Sequence, residues 1–506
     1  MPFRFSKEKW LVLSAMICGF SMIFLDSTIL PVTLPTIQGE LAISDLNLQW
    51  IVNIYFLCNA SFVILGGKLG DIFGKRKIFM TGLLLFGCSS ALGGFANNAL
   101  WLMVSRGFQG LSAALIAPSV SSIIISKFSP KERGKAIGIS VATSSIFLSM
   151  GPFLGGFLTE YVSWRWVFFI NIFISVIGIL LSLKYVPLFS GKRVKIDYLS
   201  LFLFIGALLF VTISAMEGER LGWTSTLNII FMTAGIALAL LFYFHYRNAK
   251  TEEPFFDFSL FKNINFFIGN LQSFIVQFIL MNSVFWAIFF QDGMGYTPTF
   301  AGLWTFLSTA PVLFTAPLAG YLYDKFGVRI PTTIGFCGLI ITFLSLILFT
   351  FYGNFAFMII SLIVFGFCIS QVLTPVASFV ISSVPEAKRG FVSGIYNTLR
   401  FTGATMGMAL LGSVYSGVQI NQMNSYIESK GLTLTKAQKN ELTLIYTGVE
   451  KKTVEGLNIE EIKKEATKGA FKALRMISII SLHLAAIGLL LIIAEKVKSN
   501  KLRKLT

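Results

Sequence analysis

The sequence predicts an all-α integral membrane protein. Fourteen transmembrane helices form two six-helix bundles plus two accessory helices, with both termini cytoplasmic. Three observations predict it. The 506 residues are 55% hydrophobic and only 13% charged, with a mean hydropathy of +0.75, whereas soluble domains carry roughly 25% charge. Apolar runs long enough to cross a bilayer recur along the whole chain. The third observation is an internal repeat.

The runs fall at about 10–36, 48–67, 78–96, 100–126, 135–160, 165–187, 198–216, 228–247, 266–290, 302–322, 331–351, 355–382, 391–418 and 473–494. An even number of spans puts both termini on one side. With the N-terminus inside, 27 of the 41 Lys and Arg lie in cytoplasmic segments, and the short outer loops keep two, Arg165 and Arg220. The short loops are therefore positive-inside. The net charge of +17 follows from topology, which argues against a nucleic-acid partner. Segment 419–472 departs from the rule, with nine Lys in the long loop before the last span and Arg475 just beyond it. Its glutamates largely offset them, and a loop near the rule's length limit crosses regardless of charge. It is placed outside, with "NIEEIKKEATKGAFKAL" as an amphipathic surface helix. Arg4, Lys7 and Lys9 precede an apolar run too long for a signal peptide, so the first span reads as uncleaved. All five cysteines fall in spans without a C-x-x-C pair, so neither a disulfide framework nor a metal site is expected, and no cofactor.

The repeat fixes the organisation. "GKLGDIFGKRKIF" (67–79) joins spans two and three, and "GYLYDKFGVRIP" (320–331) joins spans ten and eleven. Asp71 and Asp324 are 253 positions apart. "PKERGKAIGI" and "PEAKRGFVSGI" share RG-x-x-x-GI at an offset of 256. Two motif pairs at nearly one spacing indicate a duplication. The chain divides into an N-terminal bundle (1–190), two accessory helices (191–265) and a C-terminal bundle (266–506). Repeated halves with a midplane site between them are typical of secondary transporters.

The 67–79 loop is not a phosphate cradle. Leu69 occupies the first glycine position of a P-loop, and Gly74-Lys75 is followed by Arg76. Gly67, Gly70 and Gly74 instead permit a tight turn with close backbone approach. Asp71 can accept from the amides at a neighbouring helix N-terminus or pair with Arg76, and Asp324 is its copy. Breaking such contacts would accompany rocking of one bundle. In span five, Gly151, Pro152, Gly155 and Gly156 combine a missing helix hydrogen bond with small packing surfaces.

These segments resemble the major facilitator superfamily, whose loop signature matches 67–79. "LDSTILPVTLPTI", "LQWIVNIYFL", "VSRGFQGLSAALIAPS", "MGPFLGGFL", "WRWVFFINI", "FFQDGMGYTPTFAGL" and "LRFTGATMGMALLGSV" are similar to its fourteen-helix drug:proton antiporter branch. The resemblance covers nearly the whole chain except 419–470. It implies that Gly151, Pro152, Gly155 and Gly156 form the antiporter motif, with Phe147 where a further glycine is expected. A plain packing role for the motif stays open.

Asp26 lies in an apolar run, where an ionised carboxylate costs about 2.5–3.5 kcal/mol. It sits about 10 residues, roughly 15 Å, from the outer end of span one. Arg106 lies about six residues, roughly 9 Å, into span four from the same side. These depths fit a shared cavity, in which desolvation and a nearby cation balance the carboxylate. The resemblance implies proton coupling for Arg106, with Gln109 and Gly110 beside it, and matches Asp26 to the family's first-span acid; a purely structural ion pair is the alternative. Arg400, about 13 Å into span thirteen, either orients an anionic or zwitterionic substrate or meets carbonyls at a helix break near Gly403. Gln109, Asn171, Trp286 and Gln291 are further candidates for a substrate cavity. Glu217 and Glu219 read as an interfacial loop, His483 as a helix contact, and His245 as a cation at a helix end.

The sequence thus points to a proton-coupled secondary exporter of amphiphilic small molecules or drugs in the inner membrane, working by alternating access. Its partners are a small-molecule substrate, protons and the lipid bilayer, and a periplasmic adaptor at the long outer loop stays open. The alternative within transport is a dedicated exporter of an endogenous metabolite such as a siderophore. A membrane sensor or enzyme would need clustered ligands or a soluble domain, and neither two histidines nor short cytoplasmic loops supply one.

Overall fold

The computed structural model describes residues 5–189, 197–248, 256–384, 389–430 and 459–503. Among them are sixteen α-helices and no strand. The first bundle holds α1 (Lys7–Leu41), α2 (Asp45–Phe73), α3 (Lys75–Gly94), α4 (Ala99–Lys127), α5 (Pro130–Tyr161) and α6 (Trp166–Tyr185). The accessory pair is α7 (Tyr198–Leu221) and α8 (Thr226–Asn248). The second bundle holds α9 (Ile264–Leu280), α10 (Asn282–Ile288), α11 (Pro298–Thr309), α12 (Val312–Phe326), α13 (Arg329–Tyr352), α14 (Phe355–Ser382), α15 (Arg389–Ser429) and α16 (Ile459–Arg503). Short polar caps set the turns: Ser44, Asn98, Thr297 and Asn354 each accept a backbone N–H of the helix they open, satisfying donors that the bilayer cannot.

Spans nine and ten, expected as single runs, are each interrupted. The ninth bends at Met281 and ends in a π-helical turn, Phe289–Gly293. The tenth breaks between Thr309 and Val312, where Pro311 lacks an N–H and crowds the preceding turn.

The outer segment also differs from expectation. α15 has 41 residues and α16 has 45, about 61 and 68 Å at 1.5 Å per residue, so both project well past a hydrocarbon core of about 30 Å. "NIEEIKKEATKGAFKAL" is largely the opening of α16, continuous with the last span, and not a separate surface helix. Gln422 and Tyr426 of α15 donate to Glu465 and Glu461 of α16 at 2.8 and 2.7 Å. Polar pairing between two long helices therefore replaces packing on a surface. The rest of the long loop (431–458) and the boundary near 190 lie outside the described residues.

Thirteen spans are apolar enough to be recognised by composition among the described residues; α15 supplies the fourteenth. It packs against α2, α9 and α16, so it carries Asn397, Thr398, Arg400, Thr402 and Thr405 where a lipid-facing helix would not.

The bundles meet along two seams, α2 on α15 and α5 on α11. α7 leans on the first, where Asn53 donates to Met216 Sδ at 3.0 Å and Ala215 and Met216 pack on Ala409. The repeat is visible in the backbone. Gly74 (φ 95°) and Gly327 (φ 73°) hold left-handed turns at equivalent positions, 253 apart like the aspartates, where only glycine is unstrained.

Candidate functional site

Asp26 and Arg106 meet. Arg106 Nη1 donates to Asp26 Oδ2 at 2.5 Å, and both side chains are almost fully excluded from solvent, at 1–2% exposure. Each charge is further satisfied. Gln109 Nε2 donates to Asp26 Oδ1 at 3.3 Å and to Ser90 Oγ at 2.7 Å. Arg106 also donates to Gln109 Oε1 at 2.7 Å and to the Ile51 carbonyl at 3.3 Å. Its guanidinium lies 4.4 Å from the Tyr55 ring centroid, a cation–π contact. Arg106 and Gln109 are one turn apart on α4, so both reach the same point on α1. A buried ion pair needs such secondary hydrogen bonds to offset its desolvation.

Arg400 has a different setting. It lies on α15 facing α2, where Phe401 stacks on Phe56 with centroids 6.5 Å apart. Its Nε has no hydrogen-bond partner among the described residues, and the buried Tyr55 hydroxyl likewise has none. A row of rings joins the two arginines: Arg106 lies over Tyr55, Tyr55 meets Phe56 edge-on at 5.3 Å, and Phe56 stacks on Phe401, over which Arg400 lies at 4.7 Å. α15 runs unbroken through Gly403. The helix break considered for Arg400 is absent, because Gly403 serves close packing: a Cβ there would collide with the Phe274 carbonyl.

The remaining cavity candidates have other partners. Gln109 belongs to the Asp26 cluster. Asn171 donates to the Val167 carbonyl one turn away at 3.4 Å. Trp286 is 1% exposed and meets Phe365 edge-on at 4.7 Å. Gln291 donates to the Val32 carbonyl at 2.7 Å, joining the two bundles near the outer side.

The span-five motif is divided between two neighbours. Cβ atoms on Gly151 and Gly155 would collide with Thr28 and the Ile29 carbonyl of α1, and one on Gly156 with the Pro298 carbonyl of α11. In return, Gly302 of α11 abuts the Pro152 carbonyl. Pro152 cannot bond the Leu148 carbonyl four residues back; Thr28 Oγ1, two residues from Asp26, donates to that carbonyl at 2.8 Å. Ser149 and Thr309 exchange hydroxyl-to-carbonyl bonds at 2.9 Å across the seam, beside the break in span ten. Phe147 packs into the cluster of Leu25, Ile29 and Val167.

At the cytoplasmic loop, Gly74 combines its positive φ with an approach of 2.5 Å between its would-be Cβ and the Phe189 carbonyl. Gly67 and Gly70 make only ordinary contacts, at 3.7 and 3.8 Å; the close approach to α4 falls to Gly66, against the Ala114 carbonyl, which Pro118 leaves unbonded. Arg76 Nη2 donates to the Leu183 carbonyl at 2.7 Å, tying α3 to α6. Asp71 and Asp324 are both exposed.

Sequence reading missed Thr28, Ser90, Ser149, Gly302 and Thr309. Thr28 and Gly302 stand inside recognised segments, but only the fold reveals which proline-freed carbonyl or facing backbone each one meets.

Two bundles packed around buried charges, with an accessory pair beside one seam, define a multi-pass transporter of the cell membrane. The chain matches the Major Facilitator Superfamily over residues 16–195 and 198–408, and it belongs to that family; it is not an enzyme. Multidrug resistance protein Stp of Mycobacterium tuberculosis (strain CDC 1551 / Oshkosh) is 33% identical over 413 residues, covering 81% of this chain and 76% of that protein. Riboflavin transporter RibZ of Clostridioides difficile (strain 630) is 30% identical over 415 residues, covering 81% of this chain and 89% of that protein. The structure of a bacterial homolog to the human lysosomal transporter Spinster, inward-facing and unoccupied, matches with a TM-score of 0.64 at 16% identity, over 97% of this chain and 98% of that one. The last likeness is one of fold.

Proposed function

We propose that the protein is a proton-coupled exporter of amphiphilic small molecules, with Asp26 as the proton carrier and Arg400 as the substrate's anchor. The observation that carries the reading is the buried Asp26–Arg106–Gln109 cluster. An ion pair removed from water becomes a switch when one partner can be neutralised without stranding the other. Protonating Asp26 would release Arg106, which already has the Gln109 oxygen, the Ile51 carbonyl and the Tyr55 ring to hold it. Tyr55 would carry the change toward Arg400 through the rings of Phe56 and Phe401. Thr28 carries it toward α5, through the carbonyl that Pro152 leaves free. The hydrogen bonds described between the bundles, at Gln49–Ser416, Ser149–Thr309, Gln291–Val32 and Thr299–Glu160, lie from mid-membrane outward. They support a state closed toward the outside, from which a cytoplasmic substrate would load. In this scheme the N-terminal bundle (1–190) carries the proton, and the C-terminal bundle (266–506) carries the substrate anchor.

A cation with no carboxylate partner among the described residues suits an anionic or zwitterionic cargo, because the ligand would complete its hydrogen bonds. That favours a second reading, a dedicated exporter of an acidic metabolite such as a siderophore, and a relative named as a riboflavin transporter is compatible with a single-metabolite role.

The test is substrate-driven proton movement in everted membrane vesicles, comparing wild type with Asp26→Asn over a panel of dyes, drugs, flavins and siderophores. A compound that collapses an imposed pH gradient in wild type and not in the variant supports coupling through Asp26. Equal responses in both would make the pair structural.

A further inference from the structure

Glu160 stands at the wrong end of its own helix. It lies in the last turn of α5, which holds no basic residue, and a carboxylate there meets the negative pole of the helix. Its side chain serves another helix. Glu160 Oε2 accepts from the Thr299 N–H of α11 at 2.9 Å, so a residue of the first bundle caps a helix of the second. The other donors in the first turn of α11 show why. Pro298 has no N–H, Ala301 bonds the Thr297 carbonyl, and Phe300 reaches the Thr297 hydroxyl at 3.4 Å, a long bond. Thr299 is left to Glu160. The approach is built on one face of α5, where Pro152, Gly156 and Glu160 are spaced by four. A Cβ on Gly302 would collide with the Pro152 carbonyl, and one on Gly156 with the Pro298 carbonyl and Thr299 Cα. Backbone contact one turn earlier thus brings the Thr299 amide within reach of the carboxylate. Glu160 itself is exposed. The other ionisable groups at this end of the packed helices are Glu40 of α1 and Arg165 before α6, which bond each other, and Tyr161 and Tyr296. Arg165 is therefore occupied and α11 has no ionisable residue, so the helix end is the partner of Glu160.

We propose that Glu160 is the latch of the outer gate, holding the bundles together as a carboxylate and letting them part when it is neutralised from outside. Negative charge is favoured at a helix N-terminus, and a charged acceptor makes the stronger hydrogen bond. Parting the bundles takes Glu160 from the amino end of α11 and leaves it the carboxyl end of α5 alone, so its charge favours closure. The sign with pH follows. Closure holds the ionised form, so the contribution is full above the ordinary glutamate range, about pH 4.3, and is lost as the outer pH falls through and below it. Outer acid would then open the side from which protons enter. Only this last consequence rests on the proposed exporter function; the latch itself does not.

Hydrogen–deuterium exchange of the full-length protein in lipid nanodiscs reads the latch, with rates corrected for their intrinsic pH dependence. At pH 7, Glu160→Gln should raise exchange about twofold to fivefold over residues 297–302. The same rise is expected over 412–418 at the other seam, where Ser416 accepts from Gln49, because a gate opens along both seams together. Taking wild type from pH 7 to pH 4 should produce the same pair of rises and leave Glu160→Gln unmoved. Glu160→Asp, which keeps the charge, should respond to acid as wild type does. An elution profile on size exclusion matching wild type shows that each variant is folded. A rise confined to 297–302 would make Glu160 an ordinary helix cap and overturn the proposal. No rise in either segment, or an acid response that Glu160→Gln shares, would overturn it equally. Because no transport is measured and Asp26 is untouched, failure here is distinct from failure of Asp26 as the coupling group.

Discussion

Arg106 and Arg400 are both arginines at membrane depth, in corresponding bundles, and they are satisfied in opposite ways. Arg106 has a carboxylate at 2.5 Å, two further acceptors and an aromatic face. Arg400 has the Phe401 ring at 4.7 Å and an Nε without a partner. A buried cation is expensive unless paired. The first bundle supplies the counterion itself, and the second leaves it to be supplied. On the proposed function, the difference separates a group that exchanges its partner internally from one whose partner is the ligand.

Breaking the first arrangement should have the largest effect. Asp26→Asn removes one member of a buried pair, a loss of up to about 3–5 kcal/mol that the Gln109 oxygen, the Ile51 carbonyl and the Tyr55 ring offset in part by holding Arg106. The detergent-solubilised variant should melt well below wild type and show no coupled proton movement. Asp26→Asn combined with Arg106→Gln should recover most of the thermal stability and none of the coupling. Recovery of both would place the proton elsewhere.

Arg400→Gln should leave folding nearly intact, because it strands no carboxylate among the described residues. Its effect falls on the cargo. A charge-assisted hydrogen bond is worth about 1.5–3 kcal/mol, so affinity for an anionic compound should drop about tenfold to a hundredfold, with a neutral analogue unaffected. Equal losses for both compounds, measured by equilibrium binding, would remove the anion preference.

Gly156→Val and Gly302→Val test whether the bundles need their close approach at α5–α11. Each new side chain would meet backbone, the Pro298 or Pro152 carbonyl, and overpacking of this kind costs about 1–3 kcal/mol. Since the contact lies between bundles, the outer closure should suffer before either bundle does. Faster labelling of an outer-face cysteine with retained melting temperature is the expected pattern. Unchanged labelling would show that the seam tolerates the added volume.

The span pattern, the duplication and the similar depths of Asp26 and Arg106 were legible in the sequence, because hydropathy, positive-inside charge and depth along a helix are one-dimensional quantities. What could not be read was three-dimensional. Gln109 was placed in the cavity, yet it sits one turn from Arg106 and completes the buried cluster. α15 was legible as the run 391–418, but its continuation to Ser429 was not, because that part is held by polar pairing with α16. Gly66, beside the predicted Gly67, makes the close approach because Pro118 frees the Ala114 carbonyl on the facing helix.

The smallest effect concerns a charge pair that water reaches. Glu132, in the first turn of α5, accepts from Lys9 Nζ of α1 at 2.6 and 2.8 Å and from the Ser129 N–H at 3.0 Å. Lys9 and Ser129 hold its carboxyl down at about 2, from an ordinary 4.5. A carboxyl depressed on folding contributes stability above its unfolded pKa and loses it as pH falls through the folded one. Here the contribution is full above about pH 4.5 and fades toward pH 2. Unlike Asp26, Glu132 stands at the solvated cytoplasmic end of its helix, where screening leaves little of the Coulomb energy. Glu132→Gln should therefore melt only slightly below wild type at pH 6–7. The gap between the two melting curves should close as the pH is taken from 4.5 toward 2 in reconstituted liposomes, and raising salt should narrow it at neutral pH. A gap constant across that range would mean that Glu132 acts through its helix-capping shape, which glutamine preserves in part, and not through its charge.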